Sequence, residues 1–298
     1  MSQATHDVSE ARVGVTYGFA AYSIWGFSAV YWKWLFDVGA LEVLAHRVVW
    51  ATLIIFGVLV YRRRLPMVWA MVRTPKVLGL LFLSGALLAA NWSIFVWSVL
   101  SGQVLQSSLG YYINPLVNVV LGALLLGERM SRWQSAAVWL AAIGVLGMIV
   151  IGGSLPWPAL TLAFTFAIYG YIRKVTGVVA MDALFVEMAI FAPVAMIVLV
   201  WLSGQGEMTF GSSDLLTSFL LIGGGLVTLL PLAFFGEAVR RVRLVTIGLL
   251  QYLAPTIQFV LAVAIFGEAF TPGHIVAFGF IWVGLLLYSF DALRGEHH

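Results

Sequence analysis

No cysteine occurs among the 298 residues, which excludes disulfides, thiolate metal sites and cysteine nucleophiles. Charge is nearly as scarce: Asp, Glu, Lys and Arg make up 10% of the chain, against about a quarter in an ordinary soluble domain. The sequence contains no Gly-x-x-x-x-Gly-Lys-[Ser/Thr] run, so ATP drive is not encoded, and it has neither Gly-x-Ser-x-Gly nor His-Glu-x-x-His. Of the five histidines only His46 falls inside an apolar run. An intramembrane enzyme would need a nucleophile with its base, or a set of metal ligands. Lacking these, the chain is read as a non-enzyme with no cofactor and no metal.

What fills the chain instead is apolar. Hydrophobic residues make up 62% of it and the mean hydropathy is +1.01. A soluble fold of this size has no means of hiding so much apolar surface, and a disordered chain or nucleic-acid binder does not carry it. A bilayer core about 30 Å thick takes roughly 20 apolar residues per helix. Ten such segments follow one another: Val13–Leu35, Leu41–Tyr61, Val77–Leu100, Val104–Leu126, Trp133–Ile151, Trp157–Ile172, Met181–Leu202, Leu215–Ala238, Leu244–Phe266 and Ile275–Phe290. They are continuous runs, unlike the alternating strands of a membrane barrel. The first is too long and too aromatic for a cleaved signal peptide. The expected fold is therefore an all-α polytopic membrane protein with ten transmembrane helices.

The few cations orient it. With ten spans, fourteen of the sixteen Lys and Arg residues fall on one face, including Arg62, Arg63, Arg64, Arg73, Lys76, Arg173, Lys174, Arg240, Arg241 and Arg243. The exceptions are Lys33 and Arg47. Both termini are expected in the cytoplasm of a cell (inner) membrane protein. This distribution also explains the basic pI without nucleic acid as a partner.

An internal repeat runs at an offset of 140 residues: Tyr112-Ile-Asn-Pro115 against Tyr252-Leu-Ala-Pro255, Gly127-Glu128 against Gly267-Glu268, Gly144 against Gly284, and Glu42 against Asp182. Five spans per copy (residues 13–151 and 157–290) invert the second copy relative to the first. Secondary transporters use that architecture to alternate access around a midplane site.

Gly110-Tyr-Tyr-Ile-Asn-Pro-Leu-Val117 with Gly127-Glu128, and Gly248-Leu-Leu-Gln-Tyr-Leu-Ala-Pro-Thr256 with Phe266-Gly-Glu268, resemble EamA-type transporters of the drug/metabolite transporter superfamily. His46-Arg47, Tyr169-Gly170 with Arg173-Lys174, and Thr228-Leu-Leu-Pro231 are similar to its RarD-like branch. The resemblance covers essentially the whole chain. It implies a five-plus-five inverted bundle around a central cavity. Through the related YddG-like exporters, it also implies export of amino acids, neutral or aromatic ones suiting the aromatic residues. Other metabolites or drugs are the alternative cargo on the same fold. The implied partners are a small-molecule substrate and the lipid bilayer, and a monomer is the expected unit.

Candidate site residues follow from depth and chemistry. Pro115 and Pro255 each remove a backbone donor in mid-span, so the carbonyls they free must face protein or a wet cavity. They are the candidate hinges. Trp25, Trp92, Tyr111, Tyr112, Tyr169 and Tyr252 offer apolar faces with polar tips. Asn91, Ser107, Asn114 and Gln251 add uncharged polar groups, and together these ten residues form the candidate substrate site. For any one of them interhelical hydrogen bonding is the competing role.

Intramembrane charge marks function by default, and the candidates are Arg47 and Glu187. They are equivalent under the repeat, yet each lies about six residues, or about 9 Å, inside its helix from opposite sides. Arg47 is therefore expected to meet Glu42 or His46 near the outer surface, and Glu187 to meet basic groups near the inner one. Ser131-Arg-Trp-Gln134 reads as a capping box. Glu128 and Glu268 read as loop and capping residues.

Overall fold

A hydrocarbon layer offers backbone N–H and C=O groups no water, so long apolar runs fold as helices that satisfy those groups internally. The computed structural model describes residues 2–127, 129–211, 215–239, 241–242 and 244–295. Glu128, Arg240 and Arg243 lie outside the described residues. The first half holds α1 (Ser2–Lys33), α2 (Ala40–Tyr61), α3 (Leu65–Val72), α4 (Pro75–Leu100), α5 (Val104–Leu126) and α6 (Arg132–Gly152). The second holds α7 (Trp157–Thr176), α8 (Ala180–Gln205), α9 (Leu215–Val239), α10 (Leu244–Leu250), α11 (Leu253–Val260) with a π-helical turn over Leu261–Ile265, and α12 (Pro272–Gly295). No strand occurs among the described residues.

Among the described residues, eight helical stretches are long and apolar enough to cross a membrane: α2, α4, α5, α6, α8, α9, the run from α10 through the π-turn, and α12. α1 and α7, expected as the first and sixth spans, fall short of that measure. Their Trp, Tyr and Thr residues, and the Arg173-Lys174 pair of α7, dilute the hydropathy of the two helices. Both nevertheless pack along the bundle, α1 on α9 and α11, α7 on α5 and α4. The short α3 was not foreseen. Pro66 starts it within the basic loop after α2.

Local signals set several helix ends. Ser131 caps α6 as expected: its Oγ accepts from the Gln134 N–H and Gln134 Oε1 accepts from the Ser131 N–H, both at 3.1 Å. Ser131 Oγ also donates to Asp291 Oδ2 at 2.7 Å, tying the start of α6 to the end of α12. Gly127 and Gly267 both adopt φ +68°, a left-handed geometry that an L side chain resists.

Longer-range ties join the halves. At the start of α2, buried Glu42 accepts from the backbone N–H of Thr209 at 3.0 Å and of Phe210 at 2.9 Å, and from the Thr209 hydroxyl at 2.8 Å. At the start of α8, buried Asp182 takes the Arg64 fork, with Nε at 2.7 Å and Nη2 at 2.5 Å. Each acid thus holds the segment that follows the other's helix. Charge-assisted bonds of this kind offset the cost of burying a carboxylate. The Asp182 carboxylate also raises the pKa of Arg64.

α6 and α12 form the most extensive helix pair, and small residues bring them close. A Cβ on Gly144 would lie 3.0 Å from the Ala277 carbonyl, and one on Gly284 would lie 2.9 Å from the Ala137 carbonyl. Only Gly permits that approach.

Candidate functional site

The proline-bearing stretches of α5 and α11 lie against each other. Ser108 Oγ donates to the Pro255 carbonyl at 2.8 Å, and the Tyr112 and Thr256 hydroxyls are 2.6 Å apart. The Tyr112 ring stacks on Tyr252 (centroids 6.4 Å apart, planes at 24°) and meets Phe278 and Trp282 edge-on. The two prolines act differently. α5 runs unbroken through Pro115, whereas the chain breaks into turns at Gln251–Tyr252, between α10 and α11, just ahead of Pro255. Gln251 is half-buried at that break, and Tyr252 O accepts from Thr256 Oγ1 at 2.6 Å.

Asn91 and Asn114 do a different job. Asn91 Nδ2 donates to the Leu162 carbonyl at 3.0 Å and to Thr165 Oγ1 at 2.9 Å, and Asn114 Nδ2 donates to the Ala163 carbonyl at 3.0 Å. They fasten α4 and α5 to successive residues of α7. Ser107 is buried and its Oγ has no hydrogen-bond partner among the described residues. Trp25 packs on Tyr22 and Phe235, and its carbonyl takes the amide of Gln258.

A second cluster surrounds Arg47, which is 6% exposed. Its Cζ lies 4.1 Å from the Trp92 ring centroid and 4.9 Å from that of Trp32, and its Nε donates to Thr228 Oγ1 at 2.8 Å. Tyr111 lies within electrostatic reach. The expected meeting with Glu42 or His46 does not occur. Glu42 is held by Thr209 and Phe210, with His46 at 3.8 Å on its own helix. His46 in turn stacks on Phe210 and accepts from Trp50 Nε1 at 3.2 Å. The step of about 100° per residue turns Arg47 away from that group and toward α4 and α9.

Glu187 is fully buried and accepts from Ser84 Oγ at 2.5 Å, with Arg173 Nη1 3.5 Å away and Tyr169 beside it. The basic group expected there is Arg173. Aromatic contacts connect the two charged clusters: Tyr111 meets Phe166 edge-on at 6.4 Å, and Phe166 stacks on Tyr169 at 5.9 Å. Trp92, Tyr111 and Tyr169 are thus drawn together between Arg47 and Glu187, while Tyr112 and Tyr252 form the α5–α11 contact. Trp25 is grouped with Phe235. Trp32, Ser84, Thr228, Thr256 and Trp282 were missed as partners. Thr228 and Thr256 had a signal, their places in the Thr228–Pro231 and Gly248–Thr256 motifs.

Glu268 corrects the local reading of that residue. Its carboxylate accepts from the N–H groups of Val104 at 2.7 Å and Leu105 at 2.8 Å. It caps α5, across the bundle, and not its own loop.

Residues 12–150 match the EamA-like transporter family. The likeness continues over the whole chain in individual proteins. Protein RarD of Streptomyces exfoliatus is 42% identical over 286 residues, covering 96% of this chain and 91% of that one. The chain belongs to the RarD-like branch of the EamA-like transporters. An uncharacterized transporter of Vibrio cholerae is also 42% identical, over 293 residues that cover 98% of this chain and 97% of that one. A solved crystal structure 19% identical in sequence superposes with a TM-score of 0.56 over 92% of this chain and 96% of its own, a likeness of fold alone. With its apolar helices and bacterial RarD relatives, this RarD-like transporter is a multi-pass inner-membrane protein.

Proposed function

We propose that this RarD-like protein is a secondary transporter that exports small organic metabolites, most favourably neutral or aromatic amino acids, by alternating access. It is built as ten spans in two inverted five-helix repeats, residues 13–151 and 157–290, with both termini cytoplasmic. α1 and α7 supply the two spans beyond the eight clearly apolar ones. Reciprocal contacts support the inversion. Gly144 on Ala277 pairs with Gly284 on Ala137, both partners shifted by the offset of 140 residues, and Glu42 and Asp182, at that same offset, each hold the segment after the other's helix.

The observation that carries the reading is the meeting of α5 and α11 at their proline-bearing stretches, one helix continuous and the other broken. Discontinuous helices at a repeat interface are where secondary transporters place their sites. Around that junction Tyr112, Tyr252 and Gln251 offer rings and an amide to a ligand, with Trp92, Tyr111 and Tyr169 on the α2–α8 side. Trp25 lines the α1 side, and Ser107, Asn91 and Asn114 shape the wall. Pro115 and Pro255 serve as the hinges. The working unit is a monomer that needs no cofactor.

Proteoliposomes containing the purified protein are expected to take up radiolabelled amino acids. If no solute moves, and no metabolite raises the melting temperature of the protein, the transporter reading fails.

A further inference from the structure

Arg47 is a guanidinium that the fold holds without a counter-charge. Among the described residues no carboxylate lies within ion-pair distance of it. Its Nη1 is shut from solvent and has no hydrogen-bond partner among the described residues. The indoles of Trp32 and Trp92 pack onto it, and cation–π contact offsets only part of the cost of burying an unpaired cation. A lipid-exposed or merely structural position would select an apolar residue here.

The geometry is also directional. Thr228 donates its own proton to the Gly224 carbonyl at 2.8 Å, which leaves its oxygen to accept from Arg47 Nε. That bond and the two rings fix the plane of the guanidinium. The group that remains unspent is Nη1, on the fork that grips carboxylates. Tyr111 lies within electrostatic reach of it and leads through Phe166 to Tyr169, an aromatic row running from near the cation.

We propose that Arg47, oriented by Thr228 and flanked by Trp32 and Trp92, binds the carboxylate of the transported solute, whose apolar part lies along Tyr111 and Phe166. The proposal rests on the transporter reading and deepens it by naming an organic monocarboxylate as the ligand class. Amino acids qualify through their acid group, and an amine is not required.

Two matched pairs test this on the purified full-length protein: L-phenylalanine against L-phenylalaninamide, and 3-phenylpropionate against 3-phenylpropionamide. Binding is read by thermal shift and calorimetry, with sodium chloride at the same concentration as a control for simple anions. The acids are expected to bind about tenfold or more tightly than their amides, the loss expected when a charge-assisted contact is removed. R47Q abolishes that discrimination, and T228V, which keeps the charge but frees its orientation, weakens it. If R47Q does not fold, the T228V result decides.

Equal binding of acid and amide, an undiminished preference in T228V, or binding of neither acid would overturn the proposal. So would a shift from chloride equal to that from the acids, which would make this a site for simple anions. Transport of neutral solutes with no preference for acids sinks the Arg47 site and leaves the transporter intact. Binding of the acids with no movement of any solute across a bilayer would do the reverse.

Discussion

Glu42→Gln removes one charge and almost no volume from a residue that is 1% exposed. The carboxylate there accepts three hydrogen bonds, from the Thr209 N–H, the Phe210 N–H and the Thr209 hydroxyl. A Gln oxygen set where Oε1 lies keeps both N–H groups of the 209–210 segment, but the NH2 takes the place of the oxygen that the Thr209 hydroxyl donates to and the negative charge is gone. Turning these charge-assisted bonds into neutral ones costs about 1–3 kcal/mol. If the segment opens locally, its amides exchange roughly 5- to 150-fold faster, and a loss of about 2 kcal/mol lowers the melting midpoint of a chain this long by roughly 3 °C. The assay is hydrogen exchange read by mass spectrometry on peptides spanning 207–211, with a thermal melt in detergent alongside. Asp182→Asn provides the control. It removes the Arg64 tie at the other end of the bundle and is expected to loosen 62–64 while leaving 207–211 unchanged. Unaltered exchange at 207–211 in Glu42→Gln would show that the carboxylate does not hold that segment. Loosening of both segments by either variant would refute the pairing of one acid with one loop.

Replacing Glu268 with Ala strips two N–H partners from the first turn of α5. It is expected to speed exchange at 104–106 and lower the melting midpoint, while Glu268→Gln has the smaller effect. Gly144→Leu drives a side chain into the Ala277 carbonyl. It is expected to cost about 1–3 kcal/mol by overpacking, seen as a fall in monodisperse yield by size-exclusion chromatography, with Gly284→Leu doing the same. Tyr112→Phe keeps the ring and loses the hydroxyl that meets Thr256 and Trp282. It is expected to lower proteoliposome transport while folded yield stays constant. A parallel loss of both would assign Tyr112 to packing.

Much of the bundle was legible because its signals are local. Ser131 and Gln134 sit three apart and cap the same turn that they announce. Apolar runs long enough for a bilayer became helices because nothing but helical bonding satisfies a backbone there. The Tyr and Trp residues were legible as a set but not as a site. Asn91 and Asn114 looked like ligand groups of the same kind, yet both are spent on carbonyls of α7. Glu268 read as a loop and capping residue, but not as the cap of α5, because that helix begins more than 160 residues earlier in the chain. No pattern within a sequence window carries such a partner.

Sequence alone determined that this chain lives in a membrane and which long apolar stretches become helices, since both follow from transfer of side chains and backbone out of water, and it carried the pattern its halves share. Tertiary structure decided what the same motif does in each half. Tyr-x-x-Pro leaves α5 continuous at Pro115 but accompanies a break before Pro255, because a proline's effect depends on which neighbours satisfy the groups around it. It also decided the fate of the charges. Arg47 and Glu187 occupy equivalent places in the pattern, yet Glu187 finds Arg173 and Ser84 while Arg47 finds two indoles and a threonine. Burial makes an ion choose among whatever groups the packing brings near, and only the assembled bundle supplies that choice.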